Sequence, residues 1–175
     1  MRCVETVGAV RASTSLIART AGVSRPTLYA YFANREELVE LAARQAIRLV
    51  VNRMQEHCRA YPRASDRAVE ALLYAIYDLR HEPAMATYFA PGDVRLGPLS
   101  RDELWFGRQA LAPAAEKSPA LRARMDDAAE LYARMLISLL MREPLQRRNR
   151  DEDREFLRRW WPRALGVAAP DAQRR

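Results

Sequence analysis

Apolar positions recur every three to four residues along most of the chain, a period that predicts helices and not strands. A first short helix is expected from Thr14 to about Ala21, with Ser13 as its N-cap and Gly22 as its stop, since glycine enters the left-handed region without steric cost. A second opens at Ser24, whose hydroxyl can cap free N–H groups, and Pro26 falls in the first turn, where no intrahelical bond is lost. Val23 and Leu28 are its expected apolar anchors, and it ends near Phe32 or Ala33. Asn34-Arg35-Glu36-Glu37 then places a glutamate three residues after an N-cap, a capping-box pattern. Leu38, Leu41, Ala42, Ala46, Leu49, Val50 and Met54 carry that helix to about Arg59, ahead of Pro62.

A further helix is predicted from Ser65 or Asp66 to about His81, with Val69, Leu72, Leu73, Ile76, Tyr77 and Arg80 in rows three to four apart. Residues 84–120 are broken by proline and glycine, and short helices are expected over Met85–Phe89 and Arg101–Ala112. Leu121, Met125, Ala128, Tyr132, Met135 and Leu139 then repeat at spacings of four and three, predicting one long helix with an a/d-like seam, ended by Pro144. Asp151, Glu152 and Asp153 suit the positive end of a last helix, whose apolar face is Phe156, Leu157, Trp160, Trp161, Ala164 and Leu165. Pro162 is expected to bend or interrupt it. The fold class is therefore all-α: a small head over 1–45, a larger helical domain over 46–167, and a disordered tail over 168–175.

Composition narrows the function. The chain has 175 residues and a net charge of +7, which suits a polyanionic partner, although 28 of its 29 basic residues are arginine, Lys117 being the lone lysine, so genome bias weighs on that signal. Cys3 and Cys58 form no CxxC pair, and no metal is expected: His57, Cys58 and His81 have no recognised ligand spacing, and neighbours on a helix point about a hundred degrees apart. No cofactor motif is present. Glu5 and Arg11 interrupt any leader-like apolar run, and nowhere do 18 apolar residues run together, so a cytoplasmic protein without a membrane span is expected.

Two short helices joined by a glycine turn describe a helix-turn-helix. Around the second, Ser24, Arg25 and Thr27 lie together with Tyr29 and Tyr31 beyond them, the hydroxyls and guanidinium that phosphates and base edges require. The stretch Gly8-x-x-x-Ala12-Ser13-Thr14-x-x-Ile17-Ala18-x-x-Ala21-Gly22-Val23-Ser24-x-x-Thr27-Leu28-Tyr29-x-Tyr31-Phe32-x-Asn34-Arg35-Glu36-Glu37-Leu38 resembles the tetracycline-repressor (TetR) family of regulators over about residues 8–45. The resemblance implies that Ile17, Ala18, Ala21, Val23, Leu28 and Phe32 form the core of the head. It implies that Arg25, Pro26, Thr27 and Tyr29 meet bases and phosphates, that Ser13, Thr14 and Ser15 approach the backbone, and that Tyr31 and Arg35 clamp phosphates. In the family a helix of several turns precedes the glycine matching Gly8; only seven residues stand there here, with Val4 and Val7 as its stub, so the expectation is either a start that lies upstream or a shortened first helix.

For the body, the resemblance implies a homodimer made by the last two long helices, with Leu121, Met125, Tyr132, Met135, Leu136, Leu139, Leu140, Phe156, Trp160 and Trp161 as candidate interface residues. Two-fold pairing sets two recognition helices about 34–36 Å apart, so the operator is expected to be a palindrome of double-stranded DNA. The resemblance further implies a small-molecule effector, with Tyr74, Tyr77, Met85, Tyr88, Phe89, Trp105, Phe106 and Tyr132 as candidate pocket residues, although each also suits core packing. Two alternatives stand beside a ligand-released repressor. One is a regulator-like dimer that binds ligand but grips DNA poorly for want of its first helix; the other is a helical enzyme, disfavoured by the absence of GxGxxG, GxSxG, HExxH and P-loop patterns.

Overall fold

The apolar periodicity is realised as helices joined by short turns in the residues that the computed structural model describes, namely 14–32, 34–82, 98–141 and 148–167. In chain order these residues form α1 (Thr14–Ala21), α2 (Arg25–Tyr31), α3 (Arg35–Arg59), α4 (Ala64–Tyr77), a single 3-10 turn (Leu79–His81), α5 (Arg101–Ala115), α6 (Pro119–Ala123), α7 (Met125–Met141) and α8 (Arg150–Ala164). Among them no helix is long and apolar enough to cross a membrane. The chain divides into two compact units, one of Met1–Val50 with Leu79–Arg95 and one of Val51–Asp78 with Leu96–Arg175. The division falls inside α3, at Val50.

In the second unit α4 is the central helix, packed against α5, α7 and α8. Every residue from Arg67 to Leu73 is buried, so α4 is covered all round and not on one stripe. Leu72, Leu73, Met54, Leu111, Leu121, Tyr132 and Trp161 fill the space around it and are fully buried. Each such side chain contributes on the order of 1.5–3 kcal/mol by leaving water. Two of them also tie their polar tips to α4: the Tyr132 hydroxyl donates to the Ala71 carbonyl at 2.9 Å, and the Trp161 indole to the Ala68 carbonyl at 3.0 Å.

An all-round buried helix leaves its charged residues no route to water. Arg67 satisfies its guanidinium by bonding chain ends that need donors: the carbonyls of Tyr61 at 2.7 Å, Arg59 at 3.1 Å and Pro113 at 2.8 Å, and the Glu116 carboxylate at 3.0 Å. The last turns of α3 and α5 carry orphan carbonyls and partial negative charge, and Arg67 serves both at once. Glu70, also fully buried, accepts from Arg154 Nε at 2.7 Å and bonds His57 Nε2 at 3.1 Å. Burial pushes the Glu70 carboxyl upward, but the bonds from Arg154 and His57 outweigh it and hold it below the usual glutamate range.

Three expectations are corrected. The seam from Leu121 to Leu139 is not one helix, because Arg124 leaves helical geometry (φ −121°, ψ 31°) between α6 and α7. Ser118 caps α6 through the Leu121 N–H at 3.2 Å, Pro119 opens it, and Asp126 and Asp127 suit the fresh positive end of α7. Helix α5 passes its expected end at Ala112 and runs through Pro113. The Gln109 carbonyl, which loses its partner to the proline, accepts from Gln55 Nε2 at 2.9 Å instead. Pro162 does not interrupt α8, which stops at a glycine cap: Gly166 (φ +66°) donates to the Arg163 carbonyl at 3.0 Å and Val167 to the Pro162 carbonyl at 2.8 Å. The helix expected over Met85–Phe89 and the tail 168–175 lie outside the described residues.

Helices α5 and α7 touch backbone to backbone at Gly107, where a Cβ would stand 2.5 Å from the Ala129 carbonyl oxygen. Gly107→Val is therefore expected to lower the melting temperature by about 5 °C or more through overpacking, as read by calorimetry. The depressed Glu70 carboxyl contributes stability that is complete above about pH 4.3, the ordinary value, and is drained as pH falls through its lower folded value. Unfolding midpoints across pH 2.5–6 should thus drop steeply at the acid end in the native chain and less steeply in Glu70→Gln, roughly speaking by the linkage for one group. An acid limb identical in both would remove Glu70 as its cause.

Candidate nucleic-acid interface

Helices α1 and α2 are joined by a three-residue turn whose geometry is fixed by Gly22. That residue sits at φ +70°, its N–H donates to the Arg19 carbonyl at 3.2 Å, and the Val23 N–H reaches back to the Ala18 carbonyl at 3.0 Å. These two bonds form the glycine C-cap in which orphan carbonyls are satisfied while the chain reverses. Helix α2 starts immediately: Ser24 is extended (φ −74°, ψ 156°), its hydroxyl accepts from the Thr27 N–H at 3.1 Å, and Pro26 stands in the first turn. A helix of seven residues is too short to persist by itself, so cap, proline and packing must hold it.

That packing is narrow. Ile17 and Ala18 of α1 and Leu28 of α2 are buried, and Leu28 is the single buried residue of α2. Val23, expected as an anchor, is 40% exposed because it lies in the turn that Gly22 reverses, and Phe32 is half-buried. Arg25, Pro26, Thr27, Tyr29 and Tyr31 are all exposed, Tyr31 to 79%, and Ser15 of α1 is exposed as well. Ser24 serves as the N-cap, and its hydroxyl also lies 2.7 Å from that of Thr27. Asn34 caps α3 through the Glu37 N–H at 2.8 Å. Thr14 and Arg35 open α1 and α3, but their side chains, and all of Ser13, lie outside the described residues.

The electrostatics of this segment are one-sided. Between Glu5 and Glu36 the chain carries Arg11, Arg19, Arg25 and Arg35 and no acid. Neither α1 nor α2 has an acidic residue in its first turn to neutralise the helix end. Of these arginines, Arg19 and Arg25 are exposed, so the described surface of the two helices offers positive charge to an anionic partner. The missing acids were readable in the sequence, as a gap in a chain otherwise rich in glutamate and aspartate.

In the second unit, Tyr132, a candidate for both pocket and interface, is fully buried and bonded to α4; its hydroxyl is pushed well above the usual tyrosine range, by burial first and then by Cys58. Trp161, Leu121 and Leu136 are likewise buried within the subunit. The Tyr77 hydroxyl donates to Asp153 at 2.7 Å, and burial together with that bond pushes it up to about 12. Tyr74 lies against the His57 ring at 5.3 Å, Phe106 is half-buried, and Trp105 is exposed; Met85, Tyr88 and Phe89 lie outside the described residues. Met125, Met135, Leu139 and Leu140 are half-buried, whereas Phe156 and Trp160 face solvent, Trp160 to 59%. Cys58 is buried, and burial raises its thiol to about 12, so it stays protonated. Among the described residues no three His, Cys, Asp or Glu side chains are grouped to hold a metal ion.

Residues 1–42 match the family model of bacterial regulatory proteins, tetR family. No curated protein and no solved structure matches the chain. The match covers α1, the turn and α2, so the exposed helix lies inside the segment that this family shares.

Because Leu28 alone fixes α2 from within, Leu28→Ala should melt this helix selectively, at a cost of about 2–4 kcal/mol. Amide exchange would then accelerate over residues 25–31 and stay slow in α4, whereas uniform acceleration would contradict the narrow packing.

Proposed function

We infer that this chain, which belongs by its N-terminal segment to the tetR family of bacterial regulatory proteins, is a cytoplasmic repressor that binds a palindromic DNA duplex as a homodimer and leaves it when a small molecule binds. The observation that carries the reading is the character of α2. A helix with one buried residue does little for the stability of a core, yet this one is capped, started by proline and held after a glycine turn. Its outward side chains bring a guanidinium, hydroxyls and phenols, and no acid lies in the chain between Glu5 and Glu36. In this reading Arg25 and Thr27 read base edges, Tyr29, Tyr31 and Arg35 hold the protein on phosphates, and Ser13, Thr14 and Ser15 approach the backbone.

Pairing is supported by α8. Phe156 and Trp160, four residues apart, share one face of the helix and expose their rings, and Arg148 covers Phe156 at 4.2 Å. The half-buried Met125, Met135, Leu139 and Leu140 of α7 supply further apolar area for a second copy. Leu121, Tyr132, Leu136 and Trp161 act by holding the core beneath. For the effector, the reading rests on the family match alone, and a ligand must favour one arrangement of the heads over the other to shift binding.

The test is fluorescence anisotropy with a duplex selected by the protein from a random pool, across a salt series. A selected palindrome should bind at least about 10³-fold more tightly than random DNA. Arg25→Ala should erode that ratio, while Arg35→Ala should weaken both duplexes alike and reduce the salt slope by about one. Equal affinity for both duplexes in the native chain would refute the reading.

A further inference from the structure

A helix cap needs one hydrogen bond, from a backbone N–H to the capping oxygen. Ser24 makes that bond, accepting from the Thr27 N–H at 3.1 Å, and makes a second one as well, to the Thr27 hydroxyl at 2.7 Å. The second bond adds nothing that the helix end requires. Both residues are exposed, so an unpaired Thr27 hydroxyl would be satisfied by water at little cost. What the second bond does is remove freedom: a threonine hydroxyl is otherwise a rotor, donating or accepting as it turns.

Either hydroxyl can donate in this pair, and cooperativity favours Ser24 as the donor. The Ser24 oxygen already accepts from the backbone, which strengthens its own O–H as a donor. With that proton given to Thr27 Oγ1, the Thr27 proton is turned outward on the exposed surface of α2. An outward proton meets acceptors on DNA, which are guanine O6 and N7, adenine N7, thymine O4 and the phosphate oxygens. We propose that Ser24 is a positioning residue that fixes the Thr27 hydroxyl as an outward hydrogen-bond donor, so that it governs DNA recognition without itself touching DNA. This rests on the reading of α2 as the DNA-contacting helix.

The test separates capping from positioning. Glycine caps a helix almost as well as serine but has no hydroxyl, whereas threonine restores both functions. The full-length chain, Ser24→Gly, Ser24→Thr, Thr27→Val and the Ser24→Gly/Thr27→Val double variant are compared by thermal melting and by anisotropy on the selected duplex and on random DNA. Ser24→Gly should melt close to the native chain yet lose affinity about fivefold, matching Thr27→Val, and the double variant should lose no more than either. Ser24→Thr should bind as the native chain does. Loss on the selected duplex alone identifies a base-edge acceptor, and loss on both identifies a phosphate. Native-like binding by Ser24→Gly, or losses that multiply in the double variant, would overturn the proposal.

A readout free of DNA keeps this apart from the function proposed above. Three-bond couplings to the Thr27 methyl should report one rotamer in the native chain and averaging in Ser24→Gly. Averaging in the native chain overturns the positioning role even if DNA binds. A single rotamer in a chain that selects no duplex overturns the DNA-binding reading, and with it the role of the outward donor.

Discussion

The body of this protein depends on a buried guanidinium. Arg67 lies on a helix surrounded on all sides, and a charge in that position is tolerated only when each donor finds an acceptor. It finds them at the C-terminal ends of two other helices, in the carbonyls of Arg59 and Tyr61 at and just past the end of α3 and of Pro113 in the last turn of α5. The arrangement solves two desolvation problems with one side chain. It also makes the ends of α3 and α5 part of the same polar cluster, since Glu116 joins Arg67 to Arg59. Glu70, one turn along α4, repeats the device with opposite sign by drawing in His57 from α3 and Arg154 from α8.

These contacts explain why α5 tolerates a proline. Pro113 frees the Gln109 carbonyl, which Gln55 takes, and offers its own carbonyl to Arg67. The helix is thus continued by side chains from α3 and α4 where its own ladder fails. At the other face of the core, Gly107 lets α5 meet the backbone of α7, so that small residues such as Ala110, Ala128 and Ala129 can pack between the large ones.

Much of the helical plan was legible, because caps and periodicity are local. Ser24, Gly22, Asn34 and Pro26 announce the limits of α1, α2 and α3 through chemistry confined to a few residues. The polar centre was not legible. Asp66, Arg67 and Glu70 together look like the wet face of an amphipathic helix, and nothing nearby in sequence reveals that Tyr61, Pro113 and Arg154 close over them. The Leu121–Leu139 seam misled for a related reason: spacing is blind to a break at Arg124 that leaves both flanking segments in phase with the core. For the interface, residue types and the glycine turn were readable, whereas the exposure of Val23 and the pairing of Ser24 with Thr27 depend on geometry.

Helix α2 is built with Leu28 as its only inward side chain. Most positions along such a helix carry no packing obligation, so substitutions there meet little resistance from the fold. Structural requirements are concentrated at Gly22, Ser24 and Leu28. A change at an exposed position of this head therefore makes little demand on the stability of the body. The boundary between what must be kept and what can diversify runs through a single turn of helix.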